Sequence, residues 1–198
     1  VPTATITGVK IVGTAGQFTC TSAVLTVGQT VTISGTLGGT GTITGYTNPT
    51  TYRISATNGS TTFTLVAAAG TAIVTTTGTP TGLTYTIGVG ITGTAGQFAC
   101  AVTSLQVGQE VIVSGTLTGT GTITGYSNPT TYVISATNGS TAFQLKTTGG
   151  AAIVTTAGTT NGLTFSIQPP AIVGYTNPTT YYVIATNSFN QFTLSTTL

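Results

Sequence analysis

Leu25-Thr-Val-Gly-Gln-Thr-Val-Thr-Ile-Ser-Gly35 alternates apolar and polar side chains. Leu25, Val27, Val31 and Ile33 fall on one face, and Thr26, Thr30, Thr32 and Ser34 on the other. A period of two marks a half-buried strand. The stretch returns at an offset of 80 residues as Leu105-Gln-Val-Gly-Gln-Glu-Val-Ile-Val-Ser-Gly115. On the inner face Leu25 and Val27 are kept and Ile33 becomes only Val113. On the outer face Thr26 becomes Gln106, Thr30 becomes Glu110 and Thr32 becomes Ile112. A position that differs between copies cannot carry chemistry that every copy shares.

Outward from this strand the repeat covers nearly the whole chain. Ile11 to Ile87 returns as Ile91 to Ile167, and a third copy of the second half begins near Ile172, with Gly-Tyr-Thr-Asn-Pro-Thr-Thr-Tyr at 174–181. A fixed period of this length means an array of small modules. The division is 1–10, the end of a preceding module or an N-terminal arm; 11–88, module 1; 89–168, module 2; and 169–198, a Pro-Pro linker with a partial module 3. Val1 in place of an initiator Met reads as the start of a processed product or of an excerpt. Within module 1, Tyr52, Ile54 and Ala56 point inward by the same alternation, as do Phe63 and Leu65. Asn58-Gly59 predicts a type I′ hairpin turn, and Asn48-Pro49 and Gly78–Gly82 predict further turns. No segment keeps a 3.6-residue apolar period for three turns. The expected fold is all-β: tandem small β-sandwich or β-barrel modules of about 80 residues, each with six or seven strands and essentially no helix.

Composition narrows the chemistry. Charged residues make up 2% of the chain, and the net charge is +2. A nucleic-acid footprint needs clustered Lys and Arg, so no nucleic-acid partner is expected. Mean hydropathy is +0.41, yet no apolar stretch approaches the ~20 residues of a spanning helix. The strands look shorter, and more often broken by Gly, than those of a membrane barrel, so no membrane insertion is expected. The chain has no His, and Glu110 is its only acid. Paired carboxylates, a Ser-His-Asp triad and a His-containing metal cluster are all excluded. Lys10, Arg53, Glu110 and Lys146 are each replaced in the other copy, by Gly90, Val133, Thr30 and Val66. No charged site is shared, so neither catalysis nor a cofactor or metal is expected. Gly38–Gly45 fits no phosphate-loop pattern and has no helix after it, so it reads as a turn. Asn58-Gly-Ser60 and Asn138-Gly-Ser140 match the glycosylation sequon, but a hairpin turn explains them as well. Cys20 and Cys100 occupy one position in the two modules, as buried small hydrophobes or as intermolecular disulfide partners.

The run Leu-x-Val-Gly-Gln-x-Val-x-Ile-Ser-Gly, then Thr-Tyr-x-Ile-Ser-Ala-Thr-Asn-Gly-Ser-Thr-x-Phe-x-Leu, then Ala-Ile-Val-Thr-Thr, resembles β-repeats of virion structural proteins of tailed phages. It is most similar to the tandem repeats of marine cyanophage structural proteins. The resemblance covers 11–87, 91–167 and 174–194. It implies a non-enzymatic structural protein at the virion surface: a fibre, an appendage or a capsid decoration component. The alternative is a bacterial extracellular filament or adhesin. Either role fits a repeat array, whose surface of hydroxyls and amides is nearly indifferent to salt.

Two sets of residues are candidates for contact. Tyr46, Tyr126 and Tyr175 precede the Asn-Pro turns, where exposed rings would present a platform to a host-surface glycan or a partner. Tyr181, Val183 (or Ile184), Phe192 and Leu194 give the third fragment an apolar face without its partner strands. That face predicts an assembly contact with a second copy or with other virion proteins, by strand addition, or packing on the chain's own module 2.

Overall fold

The computed structural model describes residues 1–169, 180–186 and 192–197. Among these residues there is no helix, and the chain is all-β. Module 1 contains β1 (Ala4–Ile6), β2 (Lys10–Ile11), β3 (Gln17–Thr19), β4 (Thr30–Gly39), β5 (Thr42–Ile43), β6 (Thr50–Thr57), β7 (Thr62–Ala67), β8 (Thr75–Thr76) and β9 (Pro80–Gly88). Module 2 contains β10 (Gly90–Ile91), β11 (Gln97–Ala99), β12 (Glu110–Gly115), β13 (Thr122–Ile123), β14 (Thr130–Thr137), β15 (Ala142–Thr147), β16 (Thr155–Thr156), β17 (Gly158–Thr159) and β18 (Leu163–Ile167). The third fragment shows one hairpin, β19 (Tyr182–Thr186) with β20 (Phe192–Ser195).

Each module is a seven-stranded antiparallel sheet, ordered β1-β9-β4-β6-β7-β3-β2 in the first and β17-β10-β11-β15-β14-β12-β18 in the second. The connections force both sheets to curl. Strands lie about 4.8 Å apart, so seven strands laid flat would separate the outer two by roughly 29 Å. Yet the outermost strands of module 1, β1 and β2, are joined by residues 7–9 alone, and β17 and β18 of module 2 by residues 160–162. A three-residue link reaches only about 14 Å. Each sheet therefore bends into a half-barrel around its own core.

Aromatic stacking fills both cores the same way. Phe18 lies on Phe63 with ring centroids 5.4 Å apart, and Phe98 lies on Phe143 at the same 5.4 Å. A small ribbon, β5 with β8, sends Ile43 and the neighbouring Ile73 into the first core. Residues 4–6 belong to module 1's sheet, with Ala4 opposite Ile87 and Ile6 opposite Tyr85. Among the described residues module 2 has no counterpart of β1, and β18 stands at the edge of its sheet.

Three local expectations are corrected. First, β4 begins at Thr30. Gln29 closes a turn onto the Thr26 carbonyl and Gly28 takes φ +93°, so the alternation breaks before the strand and Val27 lies 49% exposed. Second, Ala56 faces solvent because the β6–β7 ladder bulges between Ile54 and Ala56 and reverses the faces beyond it; Ala136 does the same in module 2. Third, the Asn58-Gly59 turn is a four-residue loop. The Asn58 side-chain oxygen accepts the backbone N–H groups of Ser60, Thr61 and Thr62, at 3.0, 2.9 and 3.0 Å. One side chain thus satisfies three donors, and the tighter two-residue turn is not used.

The repeat also contains a built-in comparison at Tyr85. Its ring is buried, 4% exposed, like that of its counterpart Phe165, but its hydroxyl finds no hydrogen-bond partner. Removing an unsatisfied buried hydroxyl should help, so Tyr85→Phe is expected to raise stability by about 1 kcal/mol. Burial, reinforced by Tyr46 and Tyr52, pushes the Tyr85 pKa well above its usual value. The neutral phenol is favoured in the fold, so its contribution is complete below about pH 10 and is lost as pH rises further. Urea titrations at pH 8 and 10.5 should therefore show an alkaline loss that is smaller in Tyr85→Phe. An equal loss in both proteins would contradict the assignment.

Candidate functional site

Tyr46 and Tyr126 sit in matching places, half-buried against the two cores. The Tyr46 hydroxyl donates to the Gly35 carbonyl at 2.6 Å, and the Tyr126 hydroxyl to the Gly115 carbonyl at 2.7 Å. From the other side the Gly35 and Gly115 amides donate to Asn48 and Asn128, each at 2.9 Å. Each tyrosine thus pins its Asn-Pro loop to the bend of the long strand, and burial raises both hydroxyl pKa values. Tyr175 lies outside the described residues.

The β19–β20 hairpin reproduces β6–β7 residue for residue. Val183 stands opposite Leu194 as Ile54 stands opposite Leu65, and the ladder slips one residue later in both. Val183 is therefore the inward counterpart, and Ile184 matches the outward Ser55. Val183 is 61% exposed and Phe192 64%, whereas their counterparts Ile54 and Phe63 are buried at 0% and 2%. Tyr181 and Leu194 are half-buried.

A buried polar contact lies where the two modules meet, and the sequence reading did not single it out. The side chain of Gln29, fully buried, donates to the Cys100 carbonyl at 2.7 Å and accepts from the Thr26 amide at 2.8 Å. Beside it the Thr26 hydroxyl donates to that of Thr141 at 3.0 Å. The hydroxyls of Thr30 and Thr160 both donate to the Val89 carbonyl, at 3.1 and 2.7 Å. Ala101 enters the module 1 core. Backbones approach closely as well: a β-carbon at Gly90 would lie 2.0 Å from the Gly28 carbonyl oxygen, so only glycine fits.

A signal for this junction was present in the exchanges between copies. Thr19-Cys20-Thr21 in module 1 is Ala99-Cys100-Ala101 in module 2. The polar version is half-buried to exposed, and the apolar one is buried at 0–1%. Lys10 becomes Gly90 where backbones touch, and Glu110 takes the place of the buried Thr30. Both thiols are free. Burial pushes Cys100 up to about 11 and also raises Cys20, which keeps them as thiols rather than reactive thiolates at neutral pH.

Among the described residues, no group of three His, Cys, Asp or Glu side chains is placed to hold a metal ion. No helix of the described residues is long and apolar enough to cross a membrane. Comparison with known protein families, curated proteins and solved structures finds no match to this chain.

Proposed function

We propose that this chain is a non-enzymatic structural component of a virus particle. It would serve at the virion surface as part of a fibre, an appendage or a capsid decoration, and it would work as a multimer or with other virion proteins. The observation that carries the reading is the repeated module docked to its neighbour through a buried contact of amides, hydroxyls and backbone. Such a contact builds an extended, stiff object from a short unit. Support also comes from the chemistry withheld: the single acid and three bases of the chain are not shared between modules. The resemblance of the repeats to phage structural proteins selects the virion among possible assemblies.

The second reading is a bacterial extracellular filament or adhesin, favoured by a charged fraction of only 2%. In either setting the half-buried Tyr46 and Tyr126 are the residues that would meet a host glycan. Mass spectrometry of purified particles and of envelope fractions from uninfected cells separates the two readings. Peptides of this chain are expected in the particles. Their presence in envelopes alone overturns the virion reading, and a blank glycan array removes the glycan contact.

A further inference from the structure

The junction between the modules has two sides, and each side has an unused counterpart on the other module. Module 1 offers a face made by Thr26, Gly28, Gln29 and Thr30, which module 2 covers. Among the described residues nothing covers the same face of module 2. Gln109 is half-buried and Glu110 exposed where Gln29 and Thr30 are buried, and a β-carbon at Gly108 would meet nothing within 4 Å, whereas one at Gly28 would meet Thr92 and Ala99. Gln109 still closes its loop by accepting from the Gln106 amide at 2.7 Å, but among the described residues its amide nitrogen has no partner like the Cys100 carbonyl. The receiving side shows the converse. Module 2 buries Ala99, Cys100 and Ala101, and module 1 leaves Thr21 exposed and Thr19 and Cys20 half-buried. By sequence the third fragment begins in the second half of the repeat, after the part that supplies β10 and β11 to the receiving side.

We infer that the chain assembles head to tail with a second copy of itself, module 2 of one chain docking on module 1 of the next through the same two faces that meet between the modules within a chain. Charge complementarity selects this occupant. In the internal junction Gly90 lies against Thr30: a β-carbon there would be 3.2 Å from the Thr30 methyl carbon. The counterpart of Gly90 is Lys10, and the counterpart of Thr30 is Glu110. Docking therefore sets the only acid of the chain against one of its three basic residues. Both side chains are exposed, and Glu110 stands opposite Val133, not a cation, in its own sheet. The external contact is a looser version of the internal one. A β-carbon at Gly90 would lie 2.0 Å from the Gly28 oxygen, so Lys10 holds the modules further apart, and the longer Lys10 and Glu110 side chains span the gap. The two surfaces differ, so the contact is heterologous and propagates into open chains or rings.

This inference deepens the multimeric part of the proposed function and rests on that part alone. Its test uses the full chain in sedimentation velocity at low salt, with circular dichroism to verify the fold of each variant. The wild-type chain is expected to associate as concentration rises, and salt should weaken the association. Glu110→Lys alone and Lys10→Glu alone each place like charges in the contact, and each should lower the association constant roughly tenfold or more. An equimolar mixture of the two variants restores opposite charges at every contact and should associate again. A wild-type chain that stays monomeric overturns the inference. So do single variants that associate like the wild type, or a mixture that fails to recover. A monomeric chain found in purified particles would sink the contact and leave the virion reading standing. An associating chain absent from particles would do the reverse.

Discussion

Phe98→Ala is expected to cost about 3–5 kcal/mol, the range for removing a fully buried aromatic ring. Phe98 is 0% exposed, stacks on Phe143 and packs at 5.6 Å against Phe165, so its loss opens a cavity walled by two rigid rings. It also immediately precedes Ala99, Cys100 and Ala101, which seat module 2 on module 1. Loss of Phe98 should therefore loosen both modules. Phe18→Ala removes the matching ring from module 1, where Phe18 stacks on Phe63 and meets Tyr85 edge-on. Its cost is expected in the same range, but its effect should remain within module 1. Urea denaturation followed by hydrogen exchange over each module separates the two outcomes. Module 1 remaining as protected in Phe98→Ala as in the wild type would contradict the coupling.

Gln29→Ala is expected to cost about 2–4 kcal/mol. The change removes both ends of the bridge, leaving the buried Cys100 carbonyl and the half-buried Thr26 amide without the glutamine, at about 1–3 kcal/mol for the buried group and less for the other. Gln109→Ala, at the same place in module 2, removes only the bond to the Gln106 amide in a half-buried loop, and about 1 kcal/mol is expected. The wild-type chain, with its junction intact, should unfold in one transition, and Gln29→Ala should split it into two. If the two glutamines cost the same, the junction does not contribute what its geometry implies.

These contrasts show what could be read from the sequence. The alternation around Val31 and Ile33 survives the comparison of copies, and both residues are fully buried. Strand identity and the all-β class follow from such local periodicity. Curling does not, because it depends on which strands become neighbours. β1 and β2 are adjacent in sequence yet stand at opposite edges of the sheet order. The Ala56 reversal was hidden for a related reason: a bulge shifts the faces by one residue without any mark in the alternation. Gln29 was hidden by its type. A lone glutamine carries no pattern of its own, and the exchange of Thr19 and Thr21 for Ala99 and Ala101 is what signals that one module covers another. Tyr46 and Tyr126 were legible as a matched pair, but their hydrogen bonds to Gly35 and Gly115 depend on the bend of the long strand.

In the proposed head-to-tail docking, the faces that join the modules are also the working surface of the chain. Cryo-electron microscopy of the purified full chain over a range of concentrations tests it most directly. The expected result is linear or ring-shaped assemblies in which module 2 of one copy meets module 1 of the next, with Glu110 facing Lys10. Dispersed single chains at every concentration, or assemblies joined through other surfaces, would contradict it.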